Sequence, residues 1–219
     1  MNPPAYYTRE VLKSIVPKYC SGRLLDVGAG RAKYLEIFSP YISEYVALDD
    51  LSSTVQFSKE ASKKVVSVIA DALALPFENE SFDTVCSIKV LEHIEDPFLA
   101  FREMARVLKR GGCCIVSSDW MTPYHQEPKH YWHFSEDAYE LLGNRAGLEI
   151  RESIQQGGVF SSLFYIKIRT VELHGGKLLR KLLLALQPIK IVVERFLSIM
   201  DRLVKSRDGI GHVIIFQKP

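Results

Sequence analysis

Three aspartates, Asp26, Asp49 and Asp71, each stand at or near the end of an apolar run, and two spaced glycines, Gly28 and Gly30, follow the first of them. A carboxylate can accept from both hydroxyls of a ribose at once, and an acid about twenty residues beyond a glycine turn is where a nucleoside-type ligand needs one. Asp49, in Val46-Ala47-Leu48-Asp49, has that place. Asp50 beside it reads as a turn or helix-capping acid at the same rim. Asp71 can accept from an adenine amino group while the next backbone amide, that of Ala72, donates to a ring nitrogen. In Leu24-Leu25-Asp26-Val27-Gly28-Ala29-Gly30 the glycines remove the Cβ atoms that would block close approach. The stretch Tyr34 to Phe38 is spaced to begin a helix whose N-terminal amides favour a polar or anionic group.

These residues need strands to carry them to one edge. Apolar runs bounded by turn residues alternate with helical periodicity, the pattern of a parallel α/β sheet. Strands are expected at Arg23 to Val27, Tyr45 to Leu48, Val65 to Ala70, Phe82 to Ile88, Cys113 to Ser117, Leu148 to Ile154 and His212 to Gln217. Helices are expected at Thr8 to Tyr19, cut by Pro17, and at Ala32 to Phe38, Ser52 to Ser62 and Phe98 to Leu108. The last of these is read as closed by Lys109-Arg110-Gly111-Gly112, and a further helix, capped near Ser135, runs to Asn144. In open sheets of this kind ligands bind outside the carboxyl ends of the strands, where the three acids fall.

The blocks Leu25-Asp26-Val27-Gly28-Ala29-Gly30, Leu48-Asp49, Asp71 to Phe77, Ser81-Phe82-Asp83, Val90-Leu91-Glu92-His93-Ile94 and Glu103 to Gly112 together resemble the class I S-adenosylmethionine (SAM)-dependent methyltransferases, in the branch that includes quinone-biosynthesis methyltransferases. They run in that family's order and spacing from about residue 23 to residue 118. The resemblance implies an α/β, Rossmann-like, seven-stranded and mostly parallel sheet in the order 3-2-1-4-5-7-6, its last strand antiparallel, with SAM as cofactor. It implies that Gly28 and Gly30, with Ala29 between them, lie under the methionine part of SAM, that Asp49 and its neighbour Asp50 meet the ribose side, and that Asp71 with Ala72 reads the adenine. The backbone around Lys89 would meet the cofactor's amino group, and Asp26 would orient the glycine turn or a water near that group. Ala32 departs from a glycine often found there, leaving the site without bulk. A nicotinamide-dependent oxidoreductase is the rival, but its G-x-G-x-x-G fingerprint would put glycine where this chain has Lys33.

Methyl transfer from a sulfonium is an in-line displacement of an already activated group, so the protein's main task is alignment, worth up to roughly 7 to 11 kcal/mol. A general base is needed only where the acceptor loses a proton, and no catalytic signature is required. Candidates for the acceptor wall are Asp119, His130 and His133 in the polar, aromatic loop Asp119 to Phe134, whereas His93 reads as a structural or capping residue. No metal is expected, since neither Cys nor acid completes a familiar ligand spacing in that loop. Residues 1–20, with Tyr6, Tyr7 and Arg9, are expected to form a helical lid over the cleft or a plain surface helix.

The chain of 219 residues, 47% hydrophobic, can bury a full core as one domain spanning residues 1–219. A formal charge of +2 excludes any demand for nucleic acid as partner, and no run of eighteen uncharged apolar residues suggests a membrane span. Four cysteines without metal spacing, and a start lacking the apolar centre of a secretory signal, point to the cytoplasm. Residues 157–211, outside the family blocks, read as a helical insertion before the last strand. Between Lys177 and Asp208 eight Lys or Arg face three acids, a local +5 that leaves −3 for the rest. Two Leu-, Ile- and Val-rich helices there pack on the sheet domain, on a second subunit of a homodimer, or on an anionic membrane surface through residues 177–207. The acceptor is accordingly a small-molecule, lipid-linked or glycan substrate, the alternative being a SAM-binding protein that acts by interaction without catalysis.

Overall fold

In the computed structural model, residues 3–50, 65–124, 129–204 and 206–219 are described, with side chains from Tyr6 onward. The expected helix at Ser52 to Ser62 lies outside them. The chain runs α1 (Pro3–Tyr19), β1 (Arg23–Val27), α2 (Leu35–Phe38), β2 (Glu44–Asp49), β3 (Val65–Ile69), β4 (Phe82–Ile88), a 3-10 turn (Leu91–His93), α3 (Pro97–Val107), β5 (Leu108–Asp119), α4 (Glu136–Ala146) and β6 (Glu149–Gln156). Three helices follow, α5 (Val159–His174), α6 (Lys177–Ala185) and α7 (Gln187–Leu203), and β7 (Gly211–Gln217) ends it.

The strands form one seven-stranded sheet in the order β3-β2-β1-β4-β5-β7-β6. β1 to β5 pair in parallel, and β7 lies antiparallel to both β5 and β6. The register sets Val27 beside Leu48 and Asp49 beside Ile69, so the carboxyl ends of β1, β2 and β3 come out at one level. β1, β2, β4, β5 and β7 are buried on both faces along most of their length, which is why they read as near-continuous apolar runs, whereas the edge strands β3 and β6 keep exposed residues. Leu25, Val46, Val85, Cys114 and Ile214 face Phe101 and Met104 of α3 and Tyr139 and Leu142 of α4. Leu24, Tyr45, Cys86, Ile115 and Val213 point the other way, against Leu12, Ile15 and Val16 of α1 and Phe38 of α2. The period of two sorts neighbours in each strand to opposite cores.

Four local expectations change. α2 has only four residues, because Ala32 adopts φ 47° and a turn closed by the Ala32 amide on the Ala29 carbonyl occupies the place of its first turn. So short a helix offers no dipole for a ligand. α3 ends at Val107, since Leu108 is already extended, and Lys109 to Gly112 belong to β5 rather than to a helix cap. α1 begins at Pro3, ahead of the expected Thr8, and reaches the expected Tyr19 with Pro17 inside it. The insertion holds three helices where two were expected. α5 is apolar around much of its circumference, a composition that carries no helical stripe.

Candidate functional site

The turn after β1 hangs on β2. The amides of Gly28 and Ala29 both donate to the Leu48 carbonyl, at 2.8 and 3.0 Å, and the amide of Gly30 donates to Asp49 Oδ2 at 2.6 Å. Asp49 Oδ1 accepts from the Asp50 amide at 2.9 Å. Asp49 therefore fixes the glycine turn with one lone pair on each oxygen and keeps the others for a ligand, as a carboxylate has about four acceptor positions. The two glycines are required for different reasons. At Gly28, φ 77°, a Cβ would meet the Val90 methyls at 2.4 and 2.5 Å, whereas Gly30, φ 52°, looks into open space and is held only by its backbone angle.

Above the strand ends opens a cleft of about 550 Å³ lined by Gly28, Leu48, Asp49, Asp50, Ala70 to Leu73, Val90, His93 to Glu95, Lys129 and Tyr131. Of the expected cofactor residues it brings together Gly28, Asp49, Asp50, Asp71 and Ala72. Asp71 Oδ1 accepts from the Leu73 amide at 2.8 Å, which curls the chain back under the cleft. The segment beyond is fastened from behind. Arg106 donates to the carbonyls of Leu75 and Phe77, at 2.9 and 2.7 Å, and to both oxygens of Glu103, which in turn accepts from the Leu75 amide. That pairing holds the Glu103 carboxyl below the usual range.

The remaining expected residues lie elsewhere. Asp26 is buried beneath the turn, its carboxylate accepting from the Tyr45 hydroxyl, and burial pushes its pKa up to about 6. Ala29 and Gly30 belong to the turn but not to the cleft lining. Lys89, at φ 62°, donates its amide to the Ser117 carbonyl at 2.7 Å. Its ammonium reaches Asp119 at 2.6 Å, Gln156 Oε1 at 3.3 Å and the Ser118 carbonyl at 3.3 Å. Gln156 also accepts from Ser117 and donates to Thr8 of α1 at 2.7 Å, and Ser118 donates to the buried Glu92. Burial, then the neighbouring Asp119, raises the pKa of Glu92. A closed polar ring thus occupies the ends of β4, β5 and β6, next to the cleft over β1 to β3. Tyr7, whose hydroxyl donates to Ser161 at 3.3 Å, connects the first turns of α1 to α5, while Leu12, Ile15 and Val16 of the same helix are core.

Asp119 belongs to the polar ring, and the two loop histidines pack on each other. His130 Nε2 pairs with the Trp132 carbonyl at 2.9 Å and His133 Nδ1 with the Trp120 carbonyl at 2.8 Å, their rings 4.4 Å apart. They shape the loop rather than line the cleft. His93, read from sequence as structural, does line it, beside Lys129, whose carbonyl meets the His93 ring. The loop folds back because the Tyr131 and Trp132 amides donate to the Glu92 carbonyl, and the Trp132 indole donates to the Ile94 carbonyl at 2.9 Å. Sequence reasoning missed Lys129 and Tyr131 as cleft residues. Nothing in their spacing signals it, whereas Val90 to Ile94 was visible as a family block. Among the described residues no three His, Cys, Asp or Glu converge as a metal site requires.

The model of a Methyltransferase domain family matches residues 25–116. A demethylmenaquinone methyltransferase of Staphylococcus haemolyticus is 33% identical over 190 residues, covering 78% of this chain and 79% of that protein. The chain belongs to the class I SAM-dependent methyltransferases. Another demethylmenaquinone methyltransferase, from Roseiflexus castenholzii, is 37% identical to this methyltransferase over 100 residues, 44% of the chain and 42% of the relative. The chain matches less than two thirds of the length of several of its relatives. The crystal structure of the [4+2]-cyclase SpnF superposes on the methyltransferase with a TM-score of 0.65 at 21% identity, over 97% of this chain and 80% of that one. That likeness shows the shared fold alone, since one fold serves different reactions.

Proposed function

We propose that this chain transfers the methyl group of SAM to a small, lipophilic or lipid-linked acceptor. The observation that carries the reading is the cleft over β1 to β3, where Asp49 and Asp71 stand at adjacent strand ends beside the Gly28 turn. Asp49 has acceptor capacity left for the two ribose hydroxyls. Asp71 and the Ala72 amide take the adenine edge, and the acidic lining suits a cationic sulfonium better than a pyrophosphate. The cleft supplies alignment. In the displacement the acceptor's electron pair forms the new bond to the methyl carbon as the carbon–sulfur bond breaks, the electrons of that bond staying on sulfur as S-adenosylhomocysteine. Any proton the acceptor releases goes to Asp119, which Lys89 holds at the edge of the polar ring, while His130 and His133 support the acceptor wall.

The lipophilic character of the acceptor is supported by the names of the demethylmenaquinone methyltransferases among its relatives and by the apolar helices next to the ring. The test supplies methyl-labelled SAM with a naphthoquinol carrying a prenyl tail, or with a water-soluble glycan, and follows S-adenosylhomocysteine. Label in the organic phase with the quinol is expected. SAM binding without turnover on the quinol overturns the acceptor assignment, and no SAM binding overturns the cofactor site.

A further inference from the structure

Beyond β6 the molecule turns an apolar, basic face outward. Leu178 and Leu182 of α6 and Ile189, Val192, Phe196 and Leu203 of α7 follow one another at spacings of three, four or seven residues and are between 53% and 81% exposed. Spacings of that kind place side chains on one face of each helix. Neither helix buries a single residue. No described helix is long and apolar enough to cross a membrane, so the stripe is not a span.

The charges on these helices are sorted. Lys177, Arg180, Lys181, Arg195 and Arg202 are exposed, whereas the only two acids from Lys177 to Leu203, Glu194 and Asp201, are half-buried. Asp201 accepts from the Phe160 and Ser161 amides, at 2.8 and 3.1 Å, and from the Ser161 hydroxyl, capping the N-terminus of α5. Glu194 and Glu172 of α5 lie 4.0 and 3.8 Å from Lys190. Every exposed charge of α6 and α7 is therefore positive, and both negative ones are used inside the molecule. On an α-helical wheel Lys181, Arg195 and Arg202 fall along one flank of the stripe.

We propose that α6 and α7 dock the protein on an anionic lipid surface, the apolar stripe entering the headgroup boundary and the flanking Lys181, Arg195 and Arg202 meeting lipid phosphates. Helices with this division lie in the interface plane, and each Lys or Arg near an anionic surface adds about 1 kcal/mol. A second copy of the chain suits the face poorly, because a twofold contact sets the same cations against each other. Docking also brings the acceptor route to the lipid. Asp201 grips the turn of α5 whose Ser161 accepts from Tyr7, so α7 ends where α1 and α5 meet over the polar ring.

The full chain is floated, without SAM or acceptor, with vesicles of phosphatidylcholine alone and of phosphatidylcholine carrying about a third phosphatidylglycerol. Wild type is expected to float with the anionic vesicles and at least about ten-fold less with the neutral ones, and salt near 0.5 M should release it. The pair Phe196→Glu and Leu203→Glu, and separately Arg195→Glu and Arg202→Glu, should each cut the bound fraction about ten-fold while circular dichroism and SAM affinity stay at wild type. These positions are exposed, so the fold tolerates them. Absence of flotation, equal flotation on neutral vesicles, or variants that float as wild type overturn the proposal. So does a dimer in sedimentation that the apolar pair dissociates, which would assign the face to a second copy. Because no methyl transfer is read, failure here leaves the proposed reaction standing.

Discussion

Replacing Asp49 by alanine removes the acceptor for two backbone donors, the Gly30 and Asp50 amides, and for the two ribose hydroxyls of the proposed cofactor. The internal and ligand effects separate by exposure. The Asp50 amide bond is exposed and the Gly30 one partly so, which lets water replace the carboxylate in the free protein at small cost. The ribose bonds form in a cleft from which water is displaced, where a hydrogen bond to a charged group is worth about 1.5 to 3 kcal/mol. One such loss predicts a SAM dissociation constant weaker by roughly 10- to 140-fold, and loss of both predicts more. Asp49→Asn keeps one acceptor oxygen and should fall between wild type and alanine, while Asp50→Ala should stay near wild type. Isothermal titration with SAM and with S-adenosylhomocysteine gives the affinities, and thermal melts without ligand report the cost to the fold. Wild-type affinity in Asp49→Ala refutes the ribose assignment. An affinity loss matched by an equal loss of apo stability refutes the separation just argued.

Two further substitutions probe the turn and the acid beneath it. Gly28→Ala places a methyl 2.4 Å from Val90 at φ 77°, so it should lower the melting temperature and weaken SAM, and adding Val90→Ala should recover only the steric part, leaving about 1 to 2 kcal/mol from the backbone angle. Full recovery in the double variant, measured by melts and titration, would show that the angle costs nothing. Asp26, with a folded pKa raised to about 6 against an ordinary value of 3.8, favours the folded state below the ordinary value and loses that contribution as pH rises through 6. The difference amounts to about 3 kcal/mol, and Asp26→Asn should abolish this share of the stability change between roughly pH 4 and 6. Because the carboxylate form favours a cationic ligand, wild-type SAM affinity should climb as pH passes 6 more steeply than in Asp26→Asn. Parallel curves for the two proteins would mean that Asp26 does not titrate there.

The glycine turn and the acid beside it were legible in the sequence because local chemistry decides them. A strand that must end in a tight turn needs Gly28, and an acid closing the next strand falls beside that turn once the strands pair in parallel, as the 2.6 Å contact of Asp49 with Gly30 bears out. Even there the reason for Gly28 was hidden, because the methyls that exclude a Cβ belong to Val90, more than sixty residues later. The polar ring was less legible for the same reason. Lys89 just past β4, Asp119 of β5, Gln156 of β6 and Thr8 of α1 are far apart in the chain, and no spacing announces that they meet. The helix in α5 was missed because its apolar residues surround it, whereas the stripes of α6 and α7 stood out because one side of each is left bare.

One short segment joins the two halves, and it places the chemistry. Val90 closes under Gly28, and His93, Ile94 and Glu95 line the cleft over β1 to β3. Between them Glu92 takes the Ser118 hydroxyl with its side chain and the Tyr131 and Trp132 amides with its carbonyl. Val90 to Glu95 therefore touches the glycine turn, the cleft, the polar ring and the returning loop within six residues. With the cofactor and acceptor placed as proposed, a methyl group leaving a sulfonium above Gly28 toward an acceptor at Asp119 would cross that boundary. Acceptor choice on this fold should accordingly follow what the Asp119 to Phe134 loop and the α5 to α7 helices present at Glu92, with the cleft over β1 to β3 left unchanged. In a chimaera that exchanges those segments with a relative's, acceptor preference should change and SAM affinity should not. A change in both would mean that the loop holds the cofactor as well.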